Sequence, residues 1–192
     1  RDQILRHAGS IHARQVRWRR YLHAHPELST VEFATTEFLK KQLRVIHAKF
    51  LPLRIPTGVL AEVVGTGKGP TVAIRSDIDA LPIVERSKVP FQSRNPGCMH
   101  ACGHDVHMAT VLGAAAILAK MRTEFRGAVR FIFQPAEEMP PGGARPMIAN
   151  GALKNVKAVL GLHVDPNVGV GRIGLRDGVT MAAVFDFDLV IL

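Results

Sequence analysis

Two hydrophobic periods take turns along the chain, and their alternation restricts the fold more than any other feature of the sequence. Residues from about 4 to 23 carry apolar side chains at helical spacing. Ser29, followed three residues on by Glu32, reads as a capping box opening a second helix to about Leu43. Short β-branched runs come next, at 59–64 and 71–75, and the Gly65-Thr66-Gly67-Lys68-Gly69-Pro70 segment between them is turn chemistry suited to a hairpin. Asp105 is placed to cap a third helix that carries Val111, Leu112, Ala115, Ile117 and Leu118 to about Met121. Residues 129–133 read as another strand, Pro140 to Gly143 as a loop, the stretch to about Asn150 as a short helix, and 157–164 as a further strand. Alternating strands and helices predict an α/β domain with a largely parallel sheet flanked by helices. A last apolar run, 185–192, reads as a strand without a partner, as though part of something longer.

Composition narrows the function classes. The longest apolar run, 111–119, is well short of the ~20 residues that a membrane-spanning helix needs, so no membrane partner is expected. An excess of 25 Lys and Arg over 16 Asp and Glu gives a net charge of +9, which would suit nucleic acid if the charges clustered. The densest group, Arg14, Arg17, Arg19 and Arg20 with His12 and His23, lies on a helix-like stretch and reads as a solvated face. A nucleic-acid-binding module is therefore the runner-up, and no nucleic acid is expected as a partner. Two cysteines, Cys98 and Cys102, are too few for a disulfide framework, and the first residues lack the pattern of a secretion signal. Both point to a reducing, cytoplasmic location.

In open α/β sheets ligands bind beyond the carboxyl ends of the strands. Here the run 71–75 leads into Asp77 and Asp79, 129–133 into Glu137 and Glu138, and the last strand into His163 and Asp165, while Cys102, His104, Asp105 and His107 precede or open the central helix. So many acids cannot be buried together without cations. A mixture of thiol, imidazole and carboxylate suits Zn, Mn, Co or Ni rather than Ca or Mg. Gly103 allows a tight turn that aims Cys102 and His104 at one point. Successive side chains of extended backbone point to opposite sides, so Glu137 and Glu138 are expected to divide two tasks: one binds metal, and the other stays free to move a proton during hydrolysis. Other arrangements compete. Cys98 and Cys102 could form a disulfide, or Cys102 could act as a nucleophile with His104 as its base, although no orienting or oxyanion group is identifiable. His23 and His25 read as the end of a helix, and His100 and His107 as supporting groups.

Five motifs carry a resemblance: Arg20-Tyr-Leu-His-Ala-His-Pro-Glu-Leu-Ser29, Asp77-Ile-Asp-Ala-Leu-Pro82, Met99-His-Ala-Cys-Gly-His-Asp-Val-His107, Phe133-Gln-Pro-Ala-Glu-Glu138 and Gly161-Leu-His163. In this order they resemble the dinuclear metal amidohydrolases and carboxypeptidases, in the branch of indole-acetyl-amino-acid hydrolases, hippurate hydrolases and N-acyl-amino-acid amidohydrolases. The resemblance implies a zinc-exopeptidase-like catalytic domain with two divalent ions. Cys102 would bridge them, and His104, Glu138 and His163 would be further ligands. Glu137 would be the general base and Asp79 an acid that orients the site. Asp77 stands where the wider superfamily has a metal-binding histidine, a role His104 looks to have taken over. The substrate would be an N-acyl amino acid or small peptide. The family pattern is roughly twice as long as this chain. Residues 1–180 would correspond to the first part of the catalytic domain and 181–192 to the first strand of a lid and dimerisation domain, with a homodimer in the full-length form. A last metal-binding histidine and a substrate-contacting histidine lie in the remainder of that pattern. An inactive metal-binding fragment is accordingly the alternative to an active hydrolase.

Overall fold

The computed structural model describes residues 2–179 of the 192; the run at 185–192 lies outside them. Helical spacing puts Ile11, Trp18 and Leu22 on the buried face of α1 (Asp2–Ala24) and Leu39 and Leu43 on that of α2 (Phe33–Val45). Five strands follow the β-branched runs: β1 (Lys49–Phe50), β2 (Val59–Val64), β3 (Thr71–Asp77), β4 (Ala128–Gln134) and β5 (Val156–Gly161). They form one sheet in the order β1-β2-β4-β3-β5. β3 is parallel to β4 and β5, whereas β2 is antiparallel to β1 and β4. Four strands therefore run one way and β2 alone runs against them, within the expected α/β architecture.

The expected hairpin between β2 and β3 is not formed, because β4 lies between them and pairs with both. The connection is longer than the two-residue turns that hold adjacent strands together. Its backbone is bonded to the chain entering β4 instead: Gly65 N donates to Gly127 O at 2.8 Å, Thr66 N to Phe125 O at 2.9 Å, and Ala128 N to Pro70 O at 3.1 Å.

Side chains alternate across the sheet. Val59, Ala61, Val63, Val129, Phe131 and Phe133 face a core shared with α1, α2 and α3 (His104–Lys120). On the other face Leu60, Ala73 and Ile132 pack with Met147 of α4 (Ala144–Ala149) and Ala152. That second face also buries Arg130, whose Nε and Nη2 donate to Glu62 Oε1 at 3.0 and 2.8 Å. Its Nη1 reaches the carbonyls of Gly151, Ala152 and Lys154, tying the turn before β5 to the sheet. β5 is the edge strand, with Val159 50% and Leu160 63% exposed. Among the described residues no helix is long and apolar enough to cross a membrane.

Two expected caps are also replaced. α2 begins at Phe33, and its first N–H groups are met by the Glu27 carboxylate, from Ala34 N at 3.0 Å and Thr35 N at 2.7 Å, rather than by Ser29. α3 is preceded by Gly103 in the left-handed region, and Asp105 sits buried inside the first turn, where it meets side chains from α1.

The Arg130 pair yields a stability prediction. Arg130→Ala leaves Glu62 buried without its partner and should cost roughly 3–5 kcal/mol, whereas Lys40→Ala, which removes the exposed partner of Glu37, should cost below about 1 kcal/mol. Urea unfolding of the two variants measures the difference.

Candidate metal centre

The carboxyl ends of the three parallel strands deliver the acids and imidazoles. β3 and β4 end in register, Asp77 beside Gln134, and β5 runs alongside with Gly161 opposite Arg75. Beyond β3 the chain passes through Asp79, beyond β4 through Glu137 and Glu138, and beyond β5 to His163. The turn into α3 brings Cys102 and His104 from a fourth direction. Gly103 adopts φ +87°, and a Cβ there would run into the Val164 side chain, so the glycine permits both the turn and the close approach of the His163 segment.

The structure brings Cys102, His104, Glu138 and His163 together. Cys102 Sγ lies 3.4 Å from His163 Nε2, and His104 Nε2 lies 3.6 Å from Glu138 Oε1 and 3.9 Å from Glu137 Oε2. Three sets of ligating atoms, Cys102 with His104 and His163, Asp77 with His104 and His107, and His104 with Glu137 and Glu138, each lie within 4.8 Å of one another. The tautomers are set from behind. His104 Nδ1 donates to the Asp79 carbonyl at 2.8 Å and His163 Nδ1 to the Val164 carbonyl at 2.7 Å, which turns both Nε2 lone pairs inward. His104 Nε2 and Glu138 Oε1 are buried and make no hydrogen bond. Burial lowers the His104 pKa, but Asp79, Asp77 and Glu138 outweigh it and raise it, so these acids call for positive charge at Nε2, as a proton or as a metal in its place, and the residues present fit a metal.

Electrostatics agree. Burial and then the neighbouring carboxylates of Glu138, Glu137 and Asp77 push the Cys102 thiol up to about 12, so the acids alone keep it protonated and a cation is needed to hold it as thiolate. Burial followed by Glu138 and Asp77 also raises Glu137. Asp79 behaves oppositely: burial disfavours its charge, but His104, the Ser29 hydroxyl and the backbone N–H groups of Glu138 and Glu137 outweigh that and hold it at about 2. Its Oδ2 accepts from Ser29 Oγ at 2.6 Å and from Glu138 N at 2.9 Å.

Glu137 and Glu138 do not diverge as extended backbone would require. The chain bends after β4, with Ala136 at φ +48°, and both carboxylates turn toward His104. They differ in exposure instead, the Glu137 side chain being 39% and that of Glu138 20% exposed. Glu32 holds the bend from α2's side, its Oε1 accepting from Ala136 N at 2.7 Å and its Oε2 from Thr57 Oγ1 at 2.7 Å.

Asp77 Oδ2 also lies 3.6 Å from His104 Nε2, but both its oxygens have partners of their own. Its Oδ1 accepts a hydrogen bond from His107 Nδ1 at 2.6 Å and its Oδ2 one from Arg75 Nη1 at 2.7 Å. His107 Nε2 in turn accepts from Val164 N at 3.0 Å, fixing the residue next to His163. Asp165 lies outside the cluster and accepts from Asn167 N in a local turn. Cys98 and Cys102 are both free thiols.

Residues 73–188 match the peptidase family M20/M25/M40. The chain belongs to this family. Among curated M20-like relatives it is 46% identical over 183 residues to the N-acetylcysteine deacetylase of Bacillus subtilis, covering 95% of this chain and 48% of the relative. It is 43% identical over 183 residues to an N-acyl-L-amino acid amidohydrolase of Geobacillus stearothermophilus, covering 95% and 50%. A solved Bacillus subtilis structure, described as a dinuclear metal-binding peptidase of the M20 family, superposes with a TM-score of 0.85 at 46% identity, over 88% of this chain and 47% of that one. The chain thus spans about half the length of the curated relatives it matches.

Several contributors to this M20 site escaped the sequence reading. Ser29 and Glu32 looked like a helix cap, yet they hold Asp79 and the bend before Glu137 across 50 and 104 residues. No local pattern encodes such pairings. For the residue that was legible, Gly103→Ala should lower metal content while the helical circular dichroism is kept, because strain at positive φ and the Val164 contact would displace the turn between Cys102 and His104.

Proposed function

We propose that this chain carries most of the metal site of a hydrolase that cleaves the amide bond of N-acyl amino acids or small peptides through an activated water. The observation that carries the reading is the inward-facing, partnerless pair His104 Nε2 and Glu138 Oε1 beside Cys102 and His163. The names of the relatives support the substrate class. The overlapping donor sets offer thiol, imidazole and carboxylate groups enough for two divalent ions, and that chemistry suits Zn, Mn, Co or Ni. Bound there, such ions supply Lewis acidity to a water and to the scissile carbonyl.

Cys102, His104, Glu138 and His163 would hold the ions in this reading. Glu137, the more exposed glutamate with a raised pKa, takes the proton from the attacking water at its carboxylate and returns it to the leaving nitrogen. Asp79 stays charged and orients: its carbonyl fixes the His104 tautomer and its carboxylate fixes the backbone at Glu138. The full-length protein would act as a homodimer, in a reducing cytoplasmic setting that keeps Cys102 free to bind metal.

Glu137→Gln in the full-length protein should lower turnover of N-acetyl amino acids by roughly 10²–10⁴-fold with metal content unchanged. Glu138→Gln should lose metal. Metal analysis paired with steady-state rates checks both, and loss of metal from the first variant with retention in the second would reverse the two roles.

A further inference from the structure

His23 closes α1, one residue before its end, yet its ring is buried and engaged on both sides. Nδ1 lies 2.8 Å from Asp105 Oδ2 and Nε2 lies 3.0 Å from Glu85 Oε1. These partners are 82 and 62 residues away in the chain. We propose that His23 is a positioning residue for the metal site: an imidazolium cross-brace that ties α1 and the loop at 82–98 to the first turn of α3, next to His104. The inference rests on the metal reading above and deepens it.

The protonation state follows from geometry. A neutral imidazole would aim one ring lone pair at a carboxylate oxygen at 2.8 or 3.0 Å, a contact between two acceptors with no proton. With both nitrogens protonated, each acid receives a hydrogen bond. The charge then balances. Asp105 also pairs with Arg19 Nε at 2.9 Å, so Arg19 and His23 on α1 offset Asp105 on α3 and Glu85 on the loop. A second contact, 3.4 Å between Arg19 Nη2 and His23 Nδ1, then reflects two cations turned toward the same Asp105 carboxylate. Other groups around the ring leave this balance unchanged: Arg20 is exposed and lies over Phe91, whose ring meets His23 edge-on, and burial depresses His100 to about 4, leaving it neutral. The hydrogen bond to Asp105, the largest influence, and that to Glu85 raise the His23 pKa against the opposing effect of burial.

The brace reaches the ligands along two routes. Asp105 adjoins His104 in the first turn of α3, so holding Asp105 holds the helix end from which His104 projects. Glu85 organises the loop, taking the Ser87 hydroxyl and, at 2.6 Å, Ser93 N. The loop is docked on the end of α1, Arg94 N donating to Ala24 O at 2.9 Å and Asn95 Nδ2 to Pro26 O at 2.6 Å. It closes where Leu81 and Met99 exchange backbone hydrogen bonds at 3.0 Å, two residues from Asp79 on one side and three from Cys102 on the other.

The test uses full-length protein. In ¹⁵N-histidine spectra taken across a pH series, one ring should keep both nitrogens protonated to a higher pH than an ordinary histidine, of pKa about 6.5, and that signal should vanish in His23→Gln. A His23 ring that turns neutral as early as an ordinary histidine overturns the proposal without any variant having to fold. With cobalt as the probe, His23→Gln and Glu85→Gln should each weaken binding by about 10–100-fold, a typical effect of outer partners of ligands, and should shift the cobalt absorption bands. Unchanged affinity and bands in both variants overturn the brace. Cys102→Ser separates this outcome from failure of the metal reading: if it leaves the sulfur-to-cobalt band intact, the ligand assignment falls, whereas if it removes that band while His23→Gln changes nothing, the brace alone falls.

Discussion

Asp79 is the constraint on which the site depends. Its backbone carbonyl sets which His104 nitrogen faces inward, and its carboxylate binds the hydroxyl of Ser29 and the N–H of Glu138. One residue therefore indexes the segment after α1, the entry to α3 and the bend after β4 against the end of β3. A carboxylate that accepts several hydrogen bonds resists protonation, so the node stays charged throughout the neutral range. Removing it would leave a half-buried serine hydroxyl and a half-buried backbone N–H without partners.

Around that node the acids fall into two electrostatic groups. Asp77 is neutralised within the protein by Arg75 and hydrogen-bonded to His107, while Asp105 and Glu85 are balanced by Arg19 and His23. Among the described residues Glu137 and Glu138 form ion pairs with His104 alone. The protein thus supplies cations to Asp77, Asp105 and Glu85, satisfies Asp79 and Glu32 with hydroxyl and backbone N–H groups, and leaves Glu137 and Glu138 beside a thiol and two imidazoles.

Much of this was legible from residues close in sequence. The strand runs, the acids placed just beyond them, the Cys102-Gly103-His104 turn and the α/β class all rest on local patterns, and the structure has them. What escaped notice depends on pairing across long separations. Ser29 and Glu32 have the spacing of a cap, but Glu27 takes that role once α2 packs beneath the site. Asp105 has the residue type of a cap, but burial against α1 gave it His23 and Arg19. The Gly65 to Pro70 turn has hairpin composition, yet composition cannot report a strand inserted from 60 residues downstream. Glu137 and Glu138 diverge only if the backbone is extended, and the positive φ at Ala136 removes that premise.

The place of β4 between β2 and β3 has a consequence for how the molecule assembles. During synthesis β2 and β3 emerge first, but neither has its central neighbour until Gln134 has been made. The helical layer can gather early through local contacts, whereas the sheet must wait for a closure over a long loop, which is slow and leaves strand edges open in the meantime. Glu137, Glu138 and His163 follow β4 and β5 directly, so these side chains reach the cluster only after the central strand is in place.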